Sequence, residues 1–182
     1  MANLNKSISD TAIRLGEVRF SYVNVFAKRI NPDGTPGKYS VCVIIPKTNT
    51  EAVNLFKQAY ENARQAGKTT KWGGKIPAKV QLPLHDGDEE RDDPAFENAW
   101  YFNCSSNNAP GIRVKDELGQ VVEALDDGDF YSGCYGACTV NLFPYASNGN
   151  SGVGVGLNNV IKLRDGEKLS GGRSADVDFS DL

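Results

Sequence analysis

Hydrophobic and polar residues alternate along much of this chain, and the alternation predicts a series of β-strands. The segments rich in β-branched and aromatic residues are 11–26, 99–106, 112–114, 120–124, 130–146 and 153–163. Residues 39–46 are apolar on both faces, which indicates a central strand. Turn-forming sequences at 31–38 (NPDGTPGK) and 147–152 (SNGNSG) separate neighbouring strands. The pattern therefore predicts a mainly β protein.

One segment instead repeats its apolar residues at helical spacing, at Val53, Phe56, Tyr60 and Ala63. Thr48 and Glu51 have the spacing of a capping box, which predicts that the helix begins there. Gly67 is the predicted C-cap. Many strands with a single helix predict a small barrel or sandwich that carries one α-helix and extra loops and hairpins.

Length and composition indicate how the chain is divided into a folded domain and terminal segments. The chain has 182 residues, of which 40% are hydrophobic and 24% charged, which is typical of one globular domain with a short extension. We expect a flexible N-terminus at 1–10, a folded domain at 11–170 and a disordered acidic tail at 171–182. The chain has no apolar run of membrane-spanning length, and its first residues lack a signal-peptide pattern. The sequence thus predicts a soluble, cytoplasmic protein without membrane contact.

The formal net charge of −3 hides a separation of charges along the chain. Residues 57–79 carry a net +5 and include a basic loop around Trp72, whereas residues 86–93 carry a net −5. Residues 175–182 carry a net −3. Charge runs are often simply solvated surface. A basic body with separate acidic segments nevertheless fits a polyanionic partner better than the overall charge suggests.

The cysteines and the single histidine limit the kinds of metal site and catalytic site that the chain can contain. Cys42, Cys104, Cys134 and Cys138 lie in apolar, strand-like runs, so we expect buried free thiols. A zinc site at Cys134 and Cys138 is disfavoured, because no second Cys/His pair follows at ligand spacing. One histidine, His85, leaves little room for a catalytic triad. The sequence predicts neither a metal nor a cofactor.

Aromatic residues occupy the predicted outward face of two strands. In residues 131–146 the even positions from Cys134 to Leu142 are small or apolar, and the odd positions include Tyr131, Tyr135 and Tyr145. Tyr101 is likewise predicted to face outward. Exposed aromatic rings are typical of surfaces on which single-stranded bases stack. The same rings could instead pack beneath the helix or against a second subunit. The sequence is therefore also compatible with a homodimer.

Six blocks of sequence resemble one family. They are GKYSVCVIIPK (37–47), PLHDGDEE (83–90), YFNCSS (101–106), YSGCYGACTVNLFPYA (131–146), GVGVGLNNVIKL (152–163) and GGRSADVDF (171–179). In this order they resemble the tailed-phage single-stranded-DNA-binding proteins, over nearly the whole chain from about residue 14. The resemblance implies an OB-fold, here a five-stranded barrel with one α-helix and extra loops and hairpins. It also implies a role in DNA replication or recombination in the host cytoplasm during infection, and no enzymatic activity.

The resemblance also implies that the acidic end recruits phage or host replication and recombination proteins. The tail residues in question are Asp176, Asp178, Phe179 and Asp181. The candidate DNA-binding residues rest on the charge and aromatic patterns instead. They are Arg19, Lys47, Lys71, Trp72, Lys75, Tyr101, Arg113, Tyr131, Tyr135 and Tyr145.

Two alternatives belong to other functional classes. The carboxylates Asp86, Asp88, Glu89 and Glu90 could hold Mg²⁺ in a nuclease, although their spacing is not that of a calcium loop. The chain could also be a structural or accessory phage protein that does not bind DNA.

The glycines at 154 and 156 indicate a bulge or a close backbone approach within a strand. Closure of a barrel is the commoner reason for such a close approach.

Overall fold

A computed structural model describes residues 3–169 and 181–182. In chain order the strands and helices are β1 (Lys6–Ser7), β2 (Ala12–Asn24), β3 (Tyr39–Pro46), α1 (Thr50–Thr70), β4 (His85–Asp86), α2 (Gly87–Glu90), β5 (Ala99–Ser106), β6 (Gly111–Lys115), β7 (Val121–Glu123), β8 (Tyr135–Ser147) and β9 (Asn150–Arg164). A 3₁₀ turn over Pro94–Phe96 precedes β5. The predicted strands are confirmed, with β3 and β5 at their predicted bounds.

Five strands form a closed ring. β2 pairs with β3 and β8, β3 with β5, and β8 with β9, all antiparallel, and a parallel contact between β5 and β9 closes the ring. The short strands β1 and β4 add to β2 and β5, and the β6–β7 ribbon adds to β9. The expected mainly β architecture with five ring strands and one long helix is confirmed.

The core fills the interior of this ring and the space between the ring and α1. Alternate residues of the strands are buried there, among them Leu15, Phe102 and Val140. The helix buries one face along Ala52, Phe56, Ala59 and Ala63. The rings of Phe56 and Phe102 lie 4.8 Å apart, so the helix is joined directly to β5.

Both predicted ends of α1 are wrong. The N-cap is Asn49 rather than Thr48, since the Asn49 side chain accepts a hydrogen bond from the Ala52 N–H. Gly67 does not end the helix, which continues to Thr70. A Cβ at Gly67 would lie within 3 Å of both Pro144 and Trp72, so this glycine serves a close approach to the end of β8.

The strand predicted from residue 130 begins only at Tyr135. Gly133 has φ +113°, and its N–H donates to the Phe20 carbonyl in a turn that precedes β8. Cys134, Cys138, Val140 and Leu142 are buried as the alternation predicted.

The N-terminal segment that the sequence assigned as flexible is held against the ring in its described part. β1 pairs with β2, and the Asn5 side chain accepts from Gly16 N–H and donates to Asn49. Neither helix in the described part of the chain combines the length and apolarity needed to cross a bilayer.

Candidate nucleic-acid interface

Five residues that face away from the core line up across the ring, because each is the register partner of the next. They are Asn24 on β2, Ser40 on β3, Ser105 on β5, Gly156 on β9 and Asn141 on β8. With strands about 4.8 Å apart, the line is roughly 19 Å long. We call it the polar band. Its small polar residues leave the strand backbones accessible to an elongated ligand that crosses the strands.

A groove of about 550 Å³ lies over the β2–β3–β5 half of the polar band. Ser40, Asn103 and Ser105 belong to its floor, and Tyr22 and Arg29 line its side. Arg29 is exposed and lies in the loop between β2 and β3. The groove therefore combines hydrogen-bonding groups, a cation and an aromatic ring, which are the groups that contact bases and phosphates.

Tyr22 is the exposed aromatic residue of this groove. Its φ is +48°, it lies where the β2–β3 register shifts, and 57% of its surface is exposed. The Arg91 guanidinium lies 5.4 Å from the ring centroid and donates a hydrogen bond of 2.5 Å to the Tyr22 hydroxyl. Arg91 thus holds the ring in place while much of it stays open to solvent.

A second row of outward residues crosses the same strands, four residues away on β3 and β5 and further away on the other three strands. It runs through Tyr101, Ile44, Arg19, Tyr135 and Arg164, again as register partners. The row contains three of the residues that the sequence selected for DNA binding, but half of it is covered. Residues 91–98 pass over Ile44 and Tyr101 and leave each less than 9% exposed.

The prediction that Tyr101 presents an exposed ring is therefore wrong. Its face of the strand is the predicted one, but Phe96 packs edge-on against it with ring centroids 5.1 Å apart. His85 and Arg91 contact the same ring. Burial raises the pKa of the Tyr101 hydroxyl. In this structure Tyr101 is a packing residue.

Tyr135 lies between two guanidinium groups, because its register partners on either side are arginines. Arg164 is 3.9 Å and Arg19 is 5.0 Å from its ring centroid. Arg19 also donates to the carbonyl oxygens of Gly133 and Glu167, at 3.0 and 2.9 Å. Arg164 is paired with Glu17 at 2.6 Å, so its charge is offset within the protein, and the Tyr135 ring is already stacked against both guanidinium groups.

Tyr131 lies in the turn before β8 and not on the strand. Its hydroxyl donates to the Asp165 carboxylate at 2.7 Å, and its ring packs against the core. Burial, followed by the bond to Asp165, raises the pKa of Tyr131. Arg113 lies on the β6–β7 ribbon, opposite Glu123, and is exposed. Tyr131 lines a cavity of about 350 Å³ together with Asn24 of the polar band, whereas Arg113 pairs with Ile161 of β9, five residues from Gly156.

Lys47 is paired with the acidic segment. Its Nζ lies 2.7 Å from Asp86 and 2.8 Å from Asp88, and 4.9 Å from the centre of the Trp100 ring. The hydrogen bonds to Asp86 and Asp88 raise the pKa of Lys47, and the bond from Lys47 lowers the pKa of Asp88. The positive charge of Lys47 is therefore offset within the protein.

These contacts also bear on the nuclease alternative. Asp86 caps α2 by accepting from the Asp88 N–H, so its carboxylate has a structural role. Within residues 3–169 and 181–182, no three His, Cys, Asp or Glu side chains cluster as metal ligands would.

Four of the residues that the sequence selected for DNA binding lie near the C-terminal end of α1, namely Lys71, Trp72, Lys75 and Tyr145. Lys71, Trp72 and Lys75 lie in the loop that follows the helix, and the Trp72 indole N–H donates to the Tyr145 carbonyl at 3.0 Å. Trp72 is half-buried against the core, whereas both lysines are exposed. Of the tail residues, Asp181 is described and exposed; Asp176, Asp178 and Phe179 lie outside the described residues.

Comparison with known proteins places the fold in a family. A family model described as "Enterobacter phage Enc34, ssDNA-binding protein" matches residues 11–182. The chain belongs to this family of phage single-stranded-DNA-binding proteins. "Putative protein p50" of Acyrthosiphon pisum secondary endosymbiont phage 1 is 29% identical over 180 residues, which cover 93% of each chain.

Solved structures of phage proteins share the fold of this family member. The bacteriophage Enc34 single-stranded DNA-binding protein in complex with ssDNA matches with a TM-score of 0.73 at 21% identity, over 91% of this chain and 96% of that one. The bacteriophage T7 single-stranded DNA-binding protein gp2.5 matches with a TM-score of 0.58 at 17% identity, over 94% and 95% of the two chains.

In this member of the Enc34 family, sequence reasoning missed the groove residues Tyr22, Arg29, Asn103 and Ser105. The signal for Tyr22 and Arg29 was their place beside the turn-rich segment 31–38, since loops at the rim of an OB-fold are binding elements.

Proposed function

We propose that this chain binds and coats single-stranded DNA with little sequence preference, and that the strand runs across the polar band. The observation that carries the proposal is the register that joins Asn24, Ser40, Ser105, Gly156 and Asn141 into one line. A line perpendicular to the strands, with Tyr22 and Arg29 at one end, suits a chain of phosphates and unpaired bases. Stacking and phosphate contacts favour no particular base, so the binding tolerates any sequence.

The same proposal places the protein in phage DNA replication or recombination, in the cytoplasm of the infected host cell. It acts by occupying the strand and not by catalysis. Family membership supports this role, and so does the resemblance of the fold to the Enc34 protein in complex with ssDNA. Of the four carboxylates that a nuclease would need, Asp86 and Asp88 are engaged with Lys47, and Asp86 also caps α2.

Replacing the groove tyrosine tests the position of the strand. Tyr22→Ala should weaken binding of fluorescent oligo-dT about fivefold to tenfold, because one stacked base is lost and Arg91 already covers one side of the ring. Tyr22→Phe keeps the ring and should stay within about twofold. Fluorescence anisotropy at fixed salt measures both. Equal affinity of the Ala variant and the unchanged chain would exclude Tyr22 from the interface.

We also propose that the acidic tail competes with DNA and recruits a protein partner through Phe179. Three aspartates tethered to a basic body have a high effective concentration and act as an internal polyanion. Deleting residues 174–182 should tighten oligo-dT binding, most at low salt. Replacing Asp176, Asp178 and Asp181 by Asn should have the same effect at full length. Phe179→Ala should abolish recruitment and leave DNA affinity unchanged. Weaker DNA binding after deletion would contradict the competition.

A further inference from the structure

The β8–β9 hairpin extends beyond the ring and exposes two aromatic side chains. β2 begins at Ala12, opposite Asn141, so Phe143 and Tyr145 lie past its end and have a single neighbouring strand. Both face away from the core, and 41% of Phe143 and 37% of Tyr145 are exposed. Their register partners on β9 are Gly154 and Gly152.

These two glycines are what allow the rings to lie flat on the hairpin. A Cβ at Gly154 would lie 2.6 Å from Phe143 Cζ, and one at Gly152 would lie 2.6 Å from the Tyr145 hydroxyl oxygen. Neither glycine has a positive φ, so the backbone does not require glycine there. The missing Cβ atoms serve the rings, each of which covers its glycine with one side and turns the other side outward.

The hairpin is supported from behind. On the opposite face, Pro144 packs at Gly67 of α1, and the Trp72 indole N–H donates to the Tyr145 carbonyl. The Lys79 amino group donates to the Gly149 carbonyl, which ties the hairpin turn to the loop that follows α1. The two rings therefore stand on a hairpin that is held in place on its other face, which lets them stack on a ligand without a large loss of side-chain entropy.

We infer that Phe143 and Tyr145 form a stacking site for unpaired nucleobases, with Gly154 and Gly152 as positioning residues. The site rests on the proposed function and extends it, since Asn141 and Gly156 of the polar band are the next outward pair on the same two strands. A DNA strand that leaves the polar band at β8 reaches Phe143 after roughly 7 Å along the strand direction.

Paired oligonucleotides test the site. Phe143→Ala should weaken binding of oligo-dT about tenfold, and it should leave unchanged the binding of an abasic oligonucleotide of equal length and charge. Phe143→Trp should retain affinity, and its added fluorescence should be quenched on binding relative to the unchanged chain. Gly154→Ala should weaken oligo-dT binding in the same direction as Phe143→Ala, because its Cβ lifts the ring.

The controls separate this site from the groove. Melting temperatures verify that each variant folds, and Tyr22→Ala reports on the polar band independently. If Phe143→Ala binds oligo-dT as the unchanged chain does while Tyr22→Ala is weakened, the stacking site is wrong and the proposed function stands. If the unchanged chain does not bind oligo-dT, the proposed function itself fails. A sedimentation change without an affinity change would assign the rings to a contact between two copies and overturn the inference.

Discussion

A tenfold increase in salt should weaken oligo-dT binding by about 10³- to 10⁴-fold, despite the acidic pI of 5.2. The slope of log K against log salt is about −0.7 per phosphate neutralised on a single strand, and we expect four to six such contacts. Titrations with labelled oligo-dT between 50 and 500 mM salt measure the slope. The reason for the strong dependence is the placement of the cations relative to the acids.

Six exposed cations lie in two loops, one at the groove and the other against the β8–β9 hairpin. Lys28, Arg29 and Lys38 are in the loop before β3, and Lys71, Lys75 and Lys79 are in the loop after α1. Within the described part of the chain, none of the six forms an ion pair. Their charges are therefore available to phosphates, whereas Lys47 is paired.

Two replacements check that these loops produce the slope. Lys71→Ala with Lys75→Ala should reduce the magnitude of the slope by roughly 1 to 2, one phosphate contact being lost with each lysine. Arg64→Ala removes a charge on α1 that is already paired with Glu61 at 3.0 Å, so it should leave the slope unchanged. A slope near zero for the unchanged chain would exclude an electrostatic groove.

Trp72→Ala should lower the free energy of unfolding by about 2–3 kcal/mol. Truncating a buried Trp costs about 3–5 kcal/mol, and the half-buried state of this one places it below that range. The variant loses the contact of the indole with Gly67 and its hydrogen bond to the Tyr145 carbonyl. For a chain of this size the melting temperature should fall by roughly 4–12 °C. Urea unfolding followed by far-UV circular dichroism gives the free energy.

Trp72→Phe is the matched control. It keeps an aromatic ring against Gly67 and removes the N–H, so it should cost only about 1 kcal/mol. A change below about 0.5 kcal/mol for Trp72→Ala would show that the ring does not contribute to the core and is free to act as a surface stacking residue.

The local patterns of the sequence were sufficient for the longer strands and the long helix, but not for the ends of these elements or for the short elements β1, β4 and α2. β3 and β5 were correct because their side chains contrast sharply with the flanking turns. The end of α1 was wrong because Gly67 has two explanations in a sequence, a C-cap or a close approach. Only the position of Pro144 and Trp72 distinguishes them.

The candidate site was harder to predict, because it depends on which segments cover which faces. The alternation put Tyr101 on the correct face of β5, yet it contained no information about residues 91–98, which fold over that face. The pairing of Lys47 with Asp86 and Asp88 joins positions about forty apart in the sequence. The polar band could not be predicted from the sequence, because its five residues become neighbours only when the strands pair and the ring closes.

The four cysteine thiols of this protein are buried and therefore almost unreactive. Burial raises the pKa of Cys42 and of Cys138 to about 12, and it raises the pKa of Cys104 and Cys134 as well. The thiolate form, which is the reactive one, is therefore scarce at neutral pH. Oxidants and maleimides thus find little to react with in the folded chain. A single cysteine placed at Leu118, which is 84% exposed on the β6–β7 turn, gives a selective attachment point for a fluorophore.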